Sequence, residues 1–424
     1  MSKARELANL RGTPTDHNIL LQSTAGDAIT AGSGQYNFAA GVNAFTEGTT
    51  GDNNIVIGQS SFAVATTGCL NIALGFTAMG GADTTGNSNI AIGTTAADAL
   101  TTGACNIAIG LNALGAATTG DYNIAMGENA MDAVVTGDDN IGIGRNATGA
   151  LLGGICNVAI GTNALGASTT GCLNIALGFT ALGGAVTTGI NNIAMGSSSL
   201  DALTSGIGNI GIGPNALGAS TTGNYNVAIG VTTMGGADTT GIDNIAIGKT
   251  TMDALTSGIC NVAIGINALG ASTTGCLNIG IGVRAMGVTD VTGTQNIAMG
   301  LATMDALTTG SSNIAFGTNA LGAATTGCLN IAIGDTALGG AITTGKCNIA
   351  IGTTAMDALT TSEDNVAIGR NALGAATTAA ASVAIGRAAL GAGVTTGNHN
   401  IALGAESMDA LTSGACNIAI GMNA

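Results

Sequence analysis

From Asn37 onward the chain repeats one pattern of polar and apolar positions: an asparagine, three apolar residues and a glycine, as in Asn106-Ile107-Ala108-Ile109-Gly110. Openings fall at Asn37, Asn54, Asn71, Asn89, Asn106, Asn123, Asn140, Asn157, Asn174, Asn192, Asn209 and Asn226. They continue at Asn244, Asn261, Asn278, Asn296, Asn313, Asn330, Asn348, Asn365, Ser382, Asn400 and Asn417, each 17 or 18 residues after the last. Ile107 and Ile109 alternate with Ala108, the period of two expected of a strand with unlike faces. Gly110 ends the strand at a bend that a side chain would resist. Ala113-Leu114 adds a second apolar patch, and Thr118-Thr119-Gly120 reads as the return corner. The spacing leaves room for two short strands and two turns per unit, and every unit restarts in the same phase. The expectation is an all-β chain, a parallel β-solenoid (β-roll) of 17–18-residue coils in which no unit buries its apolar face alone. At about 4.8 Å per coil, the 23 coils of 37–424 would form a rod on the order of 110 Å long.

A longer period lies over the short one. The 18-residue spacings occur at Asn71→Asn89, Asn174→Asn192, Asn226→Asn244, Asn278→Asn296, Asn330→Asn348 and Ser382→Asn400, every 52 residues from Asn174. One coil of each triplet carries an Asp nine places after its opening residue: Asp98, Asp201, Asp253, Asp305, Asp357 and Asp409. Asp132 has this spacing but is out of phase.

Residues 1–17 are the charge-rich stretch and divide from the array as an N-terminal segment. Ala4-Arg5-Glu6-Leu7-Ala8-Asn9-Leu10 predicts a short helix, ended by Arg11-Gly12-Thr13-Pro14. Residues 18–36 read as a degenerate first coil around Asn18-Ile19-Leu20-Leu21, and 37–424 as the solenoid shaft. The expected interior is a column of Ile, Leu, Met and Val from the strand positions, each contributing about 1.5–3 kcal/mol on burial. The small Ala face is expected to be buried as well, against the backbone of a neighbouring chain, so the chain is expected to be an oligomer.

Composition narrows the function. With 71 glycines, 2% aromatic residues and no tryptophan, little is available for a conventional core. Glycine does not fall at every third position, which excludes collagen. A net charge of −15 lacks the basic face of a nucleic-acid binder. Gly, Asn or Thr interrupts every apolar run before about 18 residues, so no membrane span is expected. The polar start lacks a secretory apolar core, which points to synthesis in a cytoplasm.

The repeated asparagines, Asn54 to Asn417 as given above, are expected to form an internal amide ladder between coils and not a ligand-binding row. The Asp row is expected to be a solvated acidic stripe. Its members lie three coils apart, on the order of 14 Å by strand spacing, too far to share a calcium ion at about 2.3–2.6 Å. The nine cysteines fall one or two residues before strand openings and read as small apolar filler in a reduced protein. His17 and His399 are the two histidines. They supply neither a zinc cluster nor a Ser-His-Asp arrangement. Glycine strings such as Gly142-Ile143-Gly144 lack the Lys-Ser/Thr of a phosphate loop. The Thr pairs, such as Thr118-Thr119, read as turn residues and not as an ice-binding row. No catalytic residue, cofactor or metal is expected; the chain reads as a non-enzyme.

The phrase Ser382-Val383-Ala384-Ile385-Gly386-Arg387-Ala388-Ala389, with variants such as Asn157-Val158-Ala159-Ile160-Gly161, resembles the head repeat of trimeric autotransporter adhesins. It is also similar to repeats in bacteriophage tail fibres. The resemblance covers about 37–424 and implies a left-handed β-roll, three chains around a common axis, and a role as stalk or adhesive surface. The adhesin repeat is shorter, and those adhesins need an export signal and a membrane anchor that this sequence does not show. The opening Lys3-Ala4-Arg5-Glu6-Leu7-Ala8-Asn9-Leu10 is similar to N-terminal segments of phage tail fibres, which makes Ala4, Arg5, Leu7 and Leu10 the expected attachment residues. The expected function is thus the shaft of a homotrimeric tail fibre on a virion, joined to a larger assembly at its N-terminus and meeting a host receptor. A surface adhesin and a self-assembling extracellular filament are the alternatives, the last because Met422-Asn423-Ala424 ends partway through a coil.

Overall fold

The structure, a computed structural model, describes residues 10–11, 17–22, 24–29 and 33–424. It divides into two compact units, Met1–Asn209 and Ile210–Ala424. Each is a parallel β-solenoid of the same coil. From β3 (Phe38–Ala40) to β25 (Ile418–Ile420), every coil contributes one three-residue strand centred on the repeated phrase. Within each unit consecutive strands pair in register: in the first, Ile107, Ala108 and Ile109 face Ile124, Ala125 and Met126. Register survives the longer coils, where Ile72 pairs with Ile90, because the additional residue is accommodated outside the strand. Among the described residues there is no helix, and hence none long and apolar enough to cross a membrane.

Two expectations about the coil change. The second apolar patch is not a strand. Asn112 and Leu114 have left-handed backbones, at φ 53° and 52°, and the same alternation recurs in neighbouring coils. Their N–H groups still point along the stack in opposite directions, Asn112 to the Thr94 carbonyl (3.1 Å) and Leu114 to that of Ala130 (2.9 Å). The wall is therefore bonded coil to coil like a sheet, although each left-handed residue costs about 1–2 kcal/mol. Full burial of Leu114 and Met131 offsets that cost.

The other change concerns which face of the strand is inside. The central residue, Ala in most strands, is buried in every strand from Phe38–Ala40 to Ile401–Leu403, and the flanking Ile, Leu, Met or Val project outward, half-buried to exposed. A coil of 17 residues is narrow, and the opposite wall already sends Leu or Met into it. At Gly142, a strand centre, an added Cβ would meet Met131 Cε at 3.1 Å, which shows how little depth remains. The Ala column thus packs on the chain's own Leu and Met and needs no neighbouring chain to cover it.

At the N-terminal end β1 (Leu10–Arg11) runs antiparallel to β2 (Ile19–Leu21), with Leu10 opposite Leu21. β2 in turn pairs parallel with β3, Ile19 facing Phe38. Leu10 therefore belongs to a strand and not to the expected helix. Ala4, Arg5 and Leu7 lie outside the described residues.

Candidate interaction surfaces

The repeated asparagines are buried and stacked. Along each unit the Asn backbone N–H typically donates to the side-chain Oδ1 of the preceding Asn, as at 2.8 Å for Asn123 on Asn106 and 3.1 Å for Asn365 on Asn348. The amide Nδ2 crosses the coil to the corner carbonyl, as from Asn157 to Gly171 at 2.8 Å. One side chain thus closes its own coil and registers the next. Asn54 to Asn209 occupy this buried position in the first unit and Asn226 to Asn400 in the second, while Asn417 keeps its bond to Asn400 Oδ1 (3.0 Å) but is exposed. Ser382 stands in the column without an amide: its Oγ accepts from Asn400 N–H at 3.2 Å and donates to Ala380 O. These groups are committed to the backbone, so the column has no free chemistry to offer a ligand.

A second acceptor row, two residues before each opening, escaped sequence reasoning. Here the side chain of one coil accepts the backbone N–H of the coil before. Asp121 Oδ1 takes the N–H of Ala104 (2.7 Å), Asp138 that of Asp121 (2.8 Å), and Cys172 Sγ that of Ile155 (3.4 Å). The signal was available: Asp, Asn, Ser and Cys recur at this offset. Cys69, Cys172, Cys276 and Cys328 are therefore half-buried corner residues, not core filler, and Cys105, Cys347 and Cys416 are exposed. All nine cysteines are free.

The Asp row is not a solvated stripe either. Each carboxylate folds onto the coil before it, and those of Asp98, Asp201, Asp253 and Asp357 lie over the two glycines that accompany the 18-residue spacing. An added Cβ on Gly81 would lie 2.5 Å from Asp98 Oδ2, and one on Gly340 would lie 2.5 Å from Asp357 Oδ1. Burial pushes the carboxyls of Asp98, Asp201 and Asp357 up, while nearby backbone N–H groups, those of Gly80 and Gly81 for Asp98, pull the other way. Oδ1 of Asp98, Asp201, Asp253, Asp305 and Asp357 is buried without a partner. Where Val288 replaces the second glycine, Arg284 instead pairs with Asp305 at 2.6 Å. The triplet therefore has a local logic: a longer coil, then an Asp that covers its bulge. Among the described residues no group of three or more His, Cys, Asp or Glu could hold a metal ion.

Two surfaces remain open. The outward strand positions form columns of apolar side chains, widened in some coils by residues on either side. In the coil opening at Asn174 these are Leu173, Ile175, Leu177 and Phe179, with Leu173 and Phe179 52% and 57% exposed. Leu70, Tyr225, Leu277 and Leu329 repeat the flanking residue and are exposed to the same degree. Isolated exposed apolar residues need no explanation, but continuous bands of this kind mark interaction sites.

The other open surface is a groove of about 500 Å³ in the first unit, between Asp132 and Gly183. Asn129, Asn146 and Asn163 form one wall, and Gly149, Ala150, Gly166 and Ala167 contribute to its lining. Asn112 Nδ2 donates to Asn129 Oδ1, and Asn146 Nδ2 to Asn163 Oδ1, each at 3.1 Å. Among the described residues no hydrogen bond joins Asn129 to Asn146. Burial raises the Asp132 carboxyl above its ordinary value.

Comparison with known proteins adds no relative: no family model, curated protein or solved structure matches the chain.

Proposed function

We propose that this chain is a non-enzymatic fibrous structural protein, the shaft of a phage-type tail fibre involved in host attachment. Three copies lie side by side through their outward Ile, Leu and Val columns. The observation that carries the reading is that apolar band. Completing the burial of one such partly exposed side chain contributes roughly 0.5–1 kcal/mol, a fraction of its full value. Ten coils with two such residues each offer roughly 10–20 kcal/mol, comparable to or above the estimated 4–15 kcal/mol cost of association. In this reading Ala4, Arg5, Leu7 and Leu10 join the shaft to a larger virion assembly, and the chain is made in the host cytoplasm.

Sedimentation equilibrium of the purified chain tests the assembly, with three copies per particle expected. Replacing Ile175, Leu177 and Phe179 by Ser, together with the equivalent Val227, Ile229 and Val231, is expected to shift particles toward monomer. A wild-type chain that stays monomeric at micromolar concentration contradicts the reading. A surface adhesin that binds host molecules on its lateral face is the second reading, favoured by the polar groove.

A further inference from the structure

The groove coincides with a break in the chain's own period. The 18-residue coils fall every 52 residues from Asn174, and the same step from Asn71 lands on Asn123. The coil opening at Asn123 has 17 residues instead and carries Asp132. Three coils, opening at Asn140, Asn157 and Asn174, then separate Asp132 from the next member of its row, Asp201, where regular triplets leave two. Over this stretch no carboxylate covers Gly149 and Gly166, and an uncovered channel runs up to the bulge at Gly183. The break also brings wall amides that elsewhere from Asn71 onward occur singly, one coil in each triplet, into an unbroken run of four, Asn112, Asn129, Asn146 and Asn163.

We propose that this groove binds a short neutral oligosaccharide lying along the solenoid axis. The wall offers what hydroxyl groups require. Because the amide ladder is interrupted between Asn129 and Asn146, the Asn129 Nδ2 donor and the Asn146 Oδ1 acceptor carry no hydrogen bond among the described residues, and neither does the Asn163 Nδ2. Asp132 supplies a carboxylate that accepts from two neighbouring hydroxyls as a charge-assisted pair. These groups recur at about 4.8 Å, a step comparable to one sugar residue in an extended chain. Gly149, Ala150, Gly166 and Ala167 leave room for a ring edge and present no charge. The volume falls within the range of about 300–1,000 Å³ typical of small-ligand sites.

Other ligand classes fit less well. A peptide adding as a strand would need free backbone groups, but Thr148 N–H already bonds Ala164 O and Leu165 N–H bonds Ala181 O, each at 2.9 Å. A phosphate or sulfate would meet the Asp132 carboxylate with no cation in the lining.

The site stands independently of the shaft reading, and binding and oligomeric state are measured on the same samples. Saturation-transfer NMR and calorimetry with maltotriose, cellotriose and triacetylchitotriose are the direct test. At least one trisaccharide is expected to bind the full chain at millimolar concentration or better. Asp132→Ala and Asn146→Ala are each expected to weaken that binding at least tenfold, while Asn319→Ala, the same wall position in a regular triplet, leaves it unchanged. Ala167→Gln, which fills the groove and keeps every polar group, is expected to abolish binding in a chain with wild-type circular dichroism. Absence of binding by all three probes, or equal binding by wild type and Ala167→Gln, would overturn the proposal.

Discussion

Asn157→Ala is the sharpest probe of what holds one coil to the next. The native Oδ1 accepts from Asn174 N–H (3.0 Å) and from Asn174 Nδ2 (3.3 Å), while Nδ2 donates to Gly171 O (2.8 Å) and to Asn140 Oδ1 (3.0 Å). Truncation affects these partners unequally. Asn140 Oδ1 keeps the Asn157 backbone N–H, and Asn174 Nδ2 keeps Gly189 O, so neither is stranded. The Asn174 N–H and the Gly171 carbonyl lose their partners inside a coil where Asn157 and Asn174 are fully buried. Each orphaned buried group costs about 1–3 kcal/mol, so the substitution is expected to destabilise by roughly 2–6 kcal/mol. Because a solenoid coil contacts only its neighbours, the defect is local, and proteolysis is expected to cut near residues 157–174 first. Urea unfolding monitored by circular dichroism, with limited proteolysis beside it, reads both effects. Asn319→Ala, on a half-buried outer amide at φ 54°, serves as control and is expected to cost no more than about 1 kcal/mol, the strain of Ala in a left-handed backbone. An Asn157→Ala chain as stable as that control would refute the reasoning.

Three further outcomes follow from the same geometry. Ser382→Asn restores the missing amide and is expected to stabilise by about 1 kcal/mol, read as a higher urea midpoint. Gly110→Ala places a Cβ 2.5 Å from Gly127 O at φ +138°; strain of about 1–3 kcal/mol plus a backbone clash is expected to lower the unfolding temperature sharply. The raised carboxyls of Asp98, Asp201 and Asp357 mean that the folded chain holds their protons more tightly than the unfolded one. Their contribution to stability therefore falls as pH rises from below the ordinary value of 3.8 through the raised folded value. Asp201→Asn, a neutral isostere, is expected to be at least as stable as wild type at pH 7, with the difference closing in acid; equal pH dependence of the two would count against burial as the cause.

The repeat was legible in the sequence because Asn, Ile and Gly recur at fixed offsets, and those offsets are also the pairing register. Orientation was not. Ile-Ala-Ile is apolar on both faces, so alternation marks a strand without saying which side is inside. Side-chain hydrophobicity favours Ile inside, but the narrow coil, already occupied by Leu114 and its counterparts, takes Ala in most strands and nothing larger than Val56 in the regular array. The one-strand coil was hidden for a related reason: Leu and Met in left-handed backbone break the local rule, and only burial and coil-to-coil bonds sustain them. The expected two strands follow from propensity alone. The seat of Asp98 on Gly81 could have been read by aligning coils, because the glycine pair precedes the Asp by one coil in most triplets. The groove could not, because it arises from what the coils opening at Asn123 and Asn140 lack.

Cryo-electron microscopy of the purified particle tests the central claim most directly. The account predicts one coil about every 4.8 Å, with Ala108 over Ala125 pointing into the chain's own interior and Ile107 and Ile109 pointing out. Density with the Ile side chains inward, or with neighbouring strands antiparallel across the array, would contradict it.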